Sequence, residues 1–70
     1  AYSLHDLGEM HRAGEGVDKD EAEAARLFRQ AADRGSAGAL NDLGVLYATG
    51  AGVGKDDVQA TRLYREAAEG

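Results

Sequence analysis

The sequence is written nearly twice. Laying Leu43-Gly44 on Leu7-Gly8, a shift of 36 residues, brings Gly50-x-Gly52-Val53 onto Gly14-x-Gly16-Val17 and Lys55-Asp56 onto Lys19-Asp20. The same shift places Ala60-x-Arg62-Leu63-Tyr64-Arg65 on Ala24-x-Arg26-Leu27-Phe28-Arg29, and Ala67-Ala68 on Ala31-Ala32. Self-similarity at a period of about 20–50 residues marks a repeat architecture, in which one unit cannot bury its apolar face alone. The repeat divides the chain into units 1–35 and 36–70. Stacks of this kind generally need about three units, and about 60 residues bury only about 60% of their unfolded surface. The chain opens on Ala1, and the expectation is a piece of a longer array or a unit completed by a neighbouring copy.

Within each unit the period is helical. Leu4, Leu7, Gly8 and His11 fall at i, i+3, i+4 and i+7, as do Leu40, Leu43, Gly44 and Tyr47. Glycine inside a helix costs about 1 kcal/mol against alanine, so Gly8 and Gly44, recurring at one slot, are read as points where another helix crosses closely. Gly14 and Gly50 suit the left-handed residue that ends a helix. Val17 and Val53 are expected to tuck beneath the helix pair. Asp20 with Glu23, and Asp56 with Gln59, have the spacing of a capping box with an acid at the cap. Ala24, Leu27, Phe28, Ala31 and Ala32 then share one face of a second helix, which Gly35 closes, and Ser36 caps the next. With no strand pattern and no proline, the fold is expected to be all-α: two stacked antiparallel helix-loop-helix repeats.

These residues resemble a known family. Ala39-x-x-x-Leu43-Gly44-x-x-Tyr47, Gly50-x-Gly52-Val53-x-x-Asp56 and Ala60-x-x-x-Tyr64-x-x-Ala67-Ala68 are similar to the Sel-one-like repeat, a relative of the tetratricopeptide repeat. The resemblance covers the whole chain in two phased copies. His11 stands where the family has an aromatic, and Tyr2-Ser3 replaces the small residues that open the second copy. The resemblance implies a right-handed superhelical stack and, for the family, adaptors that hold protein or peptide partners, many of them bacterial. It also implies a concave groove lined by the first helices. Here that face would present Tyr2, His5, Glu9 and Arg12 from the first unit and Asn41, Val45 and Ala48 from the second. The lysine-and-asparagine clamp that some tetratricopeptide domains use for a terminal carboxylate is missing, since neither first helix carries a lysine.

Other chemistries have little support. There is no cysteine, hence no thiolate site or thiol nucleophile. Eight basic against thirteen acidic residues give a net charge of −5, which argues against nucleic acid and anionic membranes as partners. No apolar run is long enough for membrane insertion. Compartment is not resolvable from these residues. A glycine-rich phosphate loop would need a Gly-Lys-Ser/Thr run after a strand, which neither copy has. His5 and Glu9 stand at i, i+4, but zinc needs a third ligand and His11 lies on a different face; no metal and no cofactor is expected. Ser3 and Ser36 sit at helix starts, where capping accounts for them, and the dispersed carboxylates form no acid–base pair, so no enzyme is expected. Arg26, Arg29, Arg62 and Arg65 recur in register among acids and are read as solvated ion pairs. The function expected is a protein-interaction or adaptor module; the alternative is an architectural solenoid spacer or self-assembling fragment. Leu63, Tyr64, Ala67 and Ala68 at one end and the first helix at the other allow a homo-oligomer through open solenoid ends.

Overall fold

The computed structural model describes residues 3–69. These form four α-helices: α1 (Leu4–Ala13), α2 (Glu21–Asp33), α3 (Ala37–Thr49) and α4 (Asp57–Glu69). Among the described residues there is no strand. The anticipated Tyr2 contribution lies outside the described residues. Each helix packs mainly on its neighbours in the chain, α1 on α2, α2 on α3 and α3 on α4.

Helix starts follow from local chemistry. Ser3 Oγ accepts from the Asp6 amide, Asp20 Oδ1 from Glu23, Ser36 Oγ from Ala39 and Asp56 Oδ1 from Gln59, all at 3.0–3.2 Å. Each such cap typically stabilises a helix by about 1 kcal/mol. The capping-box expectation holds by half. Glu23 does not reach back to Asp20; its carboxylate accepts from Arg26 Nη2 at 2.9 Å. The Asp20 amide instead donates to His11 O at 2.8 Å, and the Asp56 amide to Tyr47 O at 3.0 Å. That bond closes the interhelical loop in both repeats, so the donor a capping box would satisfy is already taken.

Gly14 and Gly50 end α1 and α3 in the left-handed region, both at φ 75°. Their amides donate to Met10 O and Leu46 O at 2.7 and 2.8 Å. Gly16 and Gly52 share that conformation but not their surroundings. A Cβ at Gly16 would meet only Met10 Cε, at 3.6 Å, whereas one at Gly52 would fall on the Glu21–Ala22 peptide at 2.3–2.6 Å. The second loop is therefore pressed against the start of α2 in the first repeat. Val53 packs on the core beside it, and Val17 is half-buried in its own loop.

The core is a run of small and branched side chains around one ring. Ala24, Ala25, Phe28 and Ala31 of α2 meet Ala39, Leu43 and Leu46 of α3 and Leu63 of α4. Phe28 is fully buried, while Tyr64, which stands on it in the repeat, is 38% exposed. Both rings lie under a helical glycine. A Cβ on Gly8 would meet Phe28 at 2.6 Å, and one on Gly44 would meet Tyr64 at 2.9 Å.

Overpacking of a filled core costs about 1–3 kcal/mol, against a helix-propensity gain of about 1 kcal/mol for glycine to alanine. Gly8→Ala is thus expected to destabilise, because the buried Phe28 ring has nowhere to move. Gly44→Ala should cost less, since Tyr64 can swing toward solvent. Chemical denaturation of the two variants checks the order; equal costs would show that both crossings are equally tight.

Candidate functional site

α1 turns Leu4 and Gly8 toward the core, which leaves His5, Glu9 and Arg12 at i, i+4 and i+7 along its flank. α3 likewise carries Asn41, Val45 and Ala48 at the same spacing. Asn41 is exposed, and the other five are half-buried. The two helices approach one another near their first turns: a Cβ on Gly38 of α3 would sit 3.5 Å from His5 Nε2. Tyr2, the remaining residue expected here, lies outside the described residues.

His5 does more than line a face. Its Nε2 is 2.7 Å from Asp42 Oδ2, joining α1 of the first repeat to α3 of the second. Its ring also lies against Phe28, with centroids 5.6 Å apart and planes tilted by 46°. Glu9 accepts from Arg12 Nη2 at 3.0 and 3.3 Å through its two oxygens. Hydrogen bonding with Asp42, and then burial, push the Glu9 carboxyl above its ordinary range, while Arg12 opposes them. One donor atom from each of His5, Glu9 and Asp42 lies within 4.8 Å of the others. Arg12 Nε and His11 Nδ1 are buried without a hydrogen-bond partner among the described residues.

Asp42 is the residue that sequence reasoning missed. The repeat lays it on Asp6, an exposed acid of the first turn of α1, so the pattern marks it as solvated. Its partner is 37 residues away, beyond any local spacing rule. A second side-chain bond joins the repeats, from Arg29 Nη2 to the Tyr47 hydroxyl. Of the arginine series expected in solvated ion pairs, Arg26 pairs with Glu23 on the exposed surface, whereas Arg29 is taken by the Tyr47 hydroxyl.

Two depressions border the face. One of about 550 Å³ is lined by Ser3, Leu4, His5, Ala31, Arg34 and neighbouring turn residues. A smaller one of about 280 Å³ is lined by Asp6, Glu9, Met10 and Glu15. The first offers an apolar floor with a histidine and an arginine at its edge; the second is acidic.

The raised Glu9 carboxyl has a defined pH consequence. A carboxyl that holds its proton longer folded than unfolded contributes stability at low pH and loses it as pH rises from the unfolded value, about 4.3, toward the raised folded one. The groups facing it are Asp42, His5 and Arg12. In chelator-treated buffer, Glu9→Gln should therefore gain stability relative to wild type as pH climbs through that window. Parallel stability curves for the two proteins would show that Asp42 exerts no pressure on Glu9.

A family model described as the Sel1 repeat matches twice, over residues 1–36 and 37–70. Among solved structures, a Sel1 repeat protein from Oxalobacter formigenes superposes with a TM-score of 0.92 at 36% identity, covering 94% of this chain and 26% of that one. The protein c5321, a protective antigen of uropathogenic Escherichia coli with an SLR fold, gives 0.92 at 38% identity, covering 94% of this chain and 14% of its own. No curated protein matches. The chain spans about a quarter and about a seventh of those two structures. Two phased family matches across its length, on a fold of paired helices, make this chain a member of the Sel1 repeat family.

Proposed function

We propose that the chain is a protein-interaction module that holds a peptide or protein segment on the shared flank of α1 and α3. Sel1 repeat proteins generally mediate protein–protein interaction and form a non-catalytic scaffold family. The observation that carries the finer reading is the flank itself. Exposed Asn41 can pair with a peptide backbone, and Val45 and Ala48, half-buried on α3, supply apolar contact beside it. Arg12 and His5 belong to the face but are already engaged, with Glu9 and Asp42. They shape it more than they offer free donors. No reaction is included in this reading: both serines hold helix-starting amides, and there is no cysteine. No helix among the described residues is long and apolar enough to cross a membrane, and the acidic balance disfavours nucleic acid.

Partners captured by a longer array containing these repeats test the assignment. Asn41→Ala combined with Val45→Lys is expected to reduce capture of any specific partner, with the helical circular-dichroism signal retained. Undiminished capture by the folded double variant would remove the flank from the binding surface.

A second reading rests on a different observation: Val58 is 75% exposed and Tyr64 38%. α2 is covered on one side by α1 and on another by α3, whereas α4 packs mainly on α3. The repeat makes the outer face of α4 equivalent to the face of α2 that receives α3, so it fits the α1 of a second copy. Val58 and Thr61, with Asp57, Arg62 and Arg65, line a depression of about 440 Å³ there. Sedimentation over a concentration series is expected to show self-association that Val58→Asp abolishes. A sharply melting wild-type monomer at every concentration would sink the head-to-tail reading.

A further inference from the structure

We propose that His5, Glu9 and Asp42 form a binding site for a divalent cation of the zinc class at the junction of the two repeats. The set joins an imidazole and a carboxylate from α1 to a carboxylate from α3, with the three donor atoms within 4.8 Å of one another. Imidazole and carboxylate are both zinc ligands, and three protein ligands leave one position open. Tetrahedral zinc, with ligands at about 2.0–2.2 Å, needs donors about 3.4 Å apart. The His5–Asp42 separation of 2.7 Å must open by about 0.7 Å, and separations of up to 4.8 Å must close by up to about 1.4 Å. Half-exposed side chains can make both movements by small rotations. Binding at His5 Nε2 would replace its hydrogen bond with Asp42, as expected for ligands that coordinate only when deprotonated.

Three features favour occupation. Glu9 and Asp42 bring a carboxylate oxygen each within 4.8 Å of one another and of a His5 ring nitrogen, a pair of negative groups that a cation between them offsets. The imidazole is held in place by Phe28, so the nitrogen ligand is positioned by the core before any ion arrives. The trio is not part of what every unit repeats, since Asn41 stands in the slot of His5 and Val45 in the slot of Glu9. Arg12, bonded to Glu9, works against a cation, but an ionised carboxylate has about four lone-pair directions and can serve both. Calcium and magnesium prefer six or more oxygen ligands. One nitrogen and two carboxylates suit zinc, cobalt or nickel better.

Calorimetric titration of the full chain with zinc chloride is the test, with magnesium and calcium chloride alongside. The expected result is one saturable zinc site and a higher melting temperature with zinc, with neither for magnesium or calcium. His5→Ala and Glu9→Gln should each weaken binding by about tenfold or more, while His11→Ala leaves it unchanged. Asp42 also tethers the repeats, so Glu9→Gln, outside that tether, serves as the variant whose fold is least at risk. Absence of zinc binding by wild type, or equal binding by folded Glu9→Gln and His5→Ala, would overturn the site.

Discussion

The structure turns on one close approach, the ring of Phe28 lying where a side chain on Gly8 would have to be. Because α1 has no Cβ there, it can settle against α2 closely enough to bury the ring completely. Removing such a ring typically costs about 3–5 kcal/mol, a large fraction of what a domain this small can hold. The polar flank depends on the same contact. His5 rests on Phe28 and from there reaches Asp42, so the position of α1 over the ring decides whether the two repeats touch at that side. Core packing and the polar junction are thus one arrangement seen from two sides.

What was legible beforehand was what repeats and what is local. Gly8 and Gly44 announced helix crossings because glycine in a helix needs a reason, and Ser3, Asp20, Ser36 and Asp56 cap helices as their three-residue spacing suggests. The capping box failed where two local rules competed. Glu23 can serve Asp20 or Arg26 equally well by spacing, and the loop closure from Asp20 to His11 O decided the matter. The inter-repeat bonds were illegible. Arg29 and Tyr47 are 18 residues apart and His5 and Asp42 are 37, and no period of a single helix relates them. Asp42 was further hidden because its counterpart Asp6 has no such partner among the described residues, so the repeat itself pointed away from it. The pressing of Gly52 on α2 was hidden in the same way, since Gly16 shares its conformation but not its contact.

The paired copies also work as an internal control. Leu27 and Leu63 are buried to the same degree, 6% exposed each, yet Phe28 and Tyr64 differ by 38 percentage points. Each ring lies under the helical glycine of its own hairpin, but only Phe28 belongs to the buried core that α3 of the second repeat completes. The difference between the two rings therefore reports the cover that a following repeat adds. Tyrosine at the less covered position is consistent with this, because its hydroxyl tolerates water that phenylalanine would shun.

The fit of Gly52 against the Glu21–Ala22 peptide means that the sequence repeat and the contacts that hold it are out of step. The helices pack most extensively inside each hairpin, α1 on α2 and α3 on α4, and less so across the boundary, α2 on α3. The second loop therefore reinforces the thinner seam, by laying its backbone on the first turn of α2 in the preceding repeat. A chain divided at its apparent repeat boundary would keep both hairpins and lose the seat of that loop.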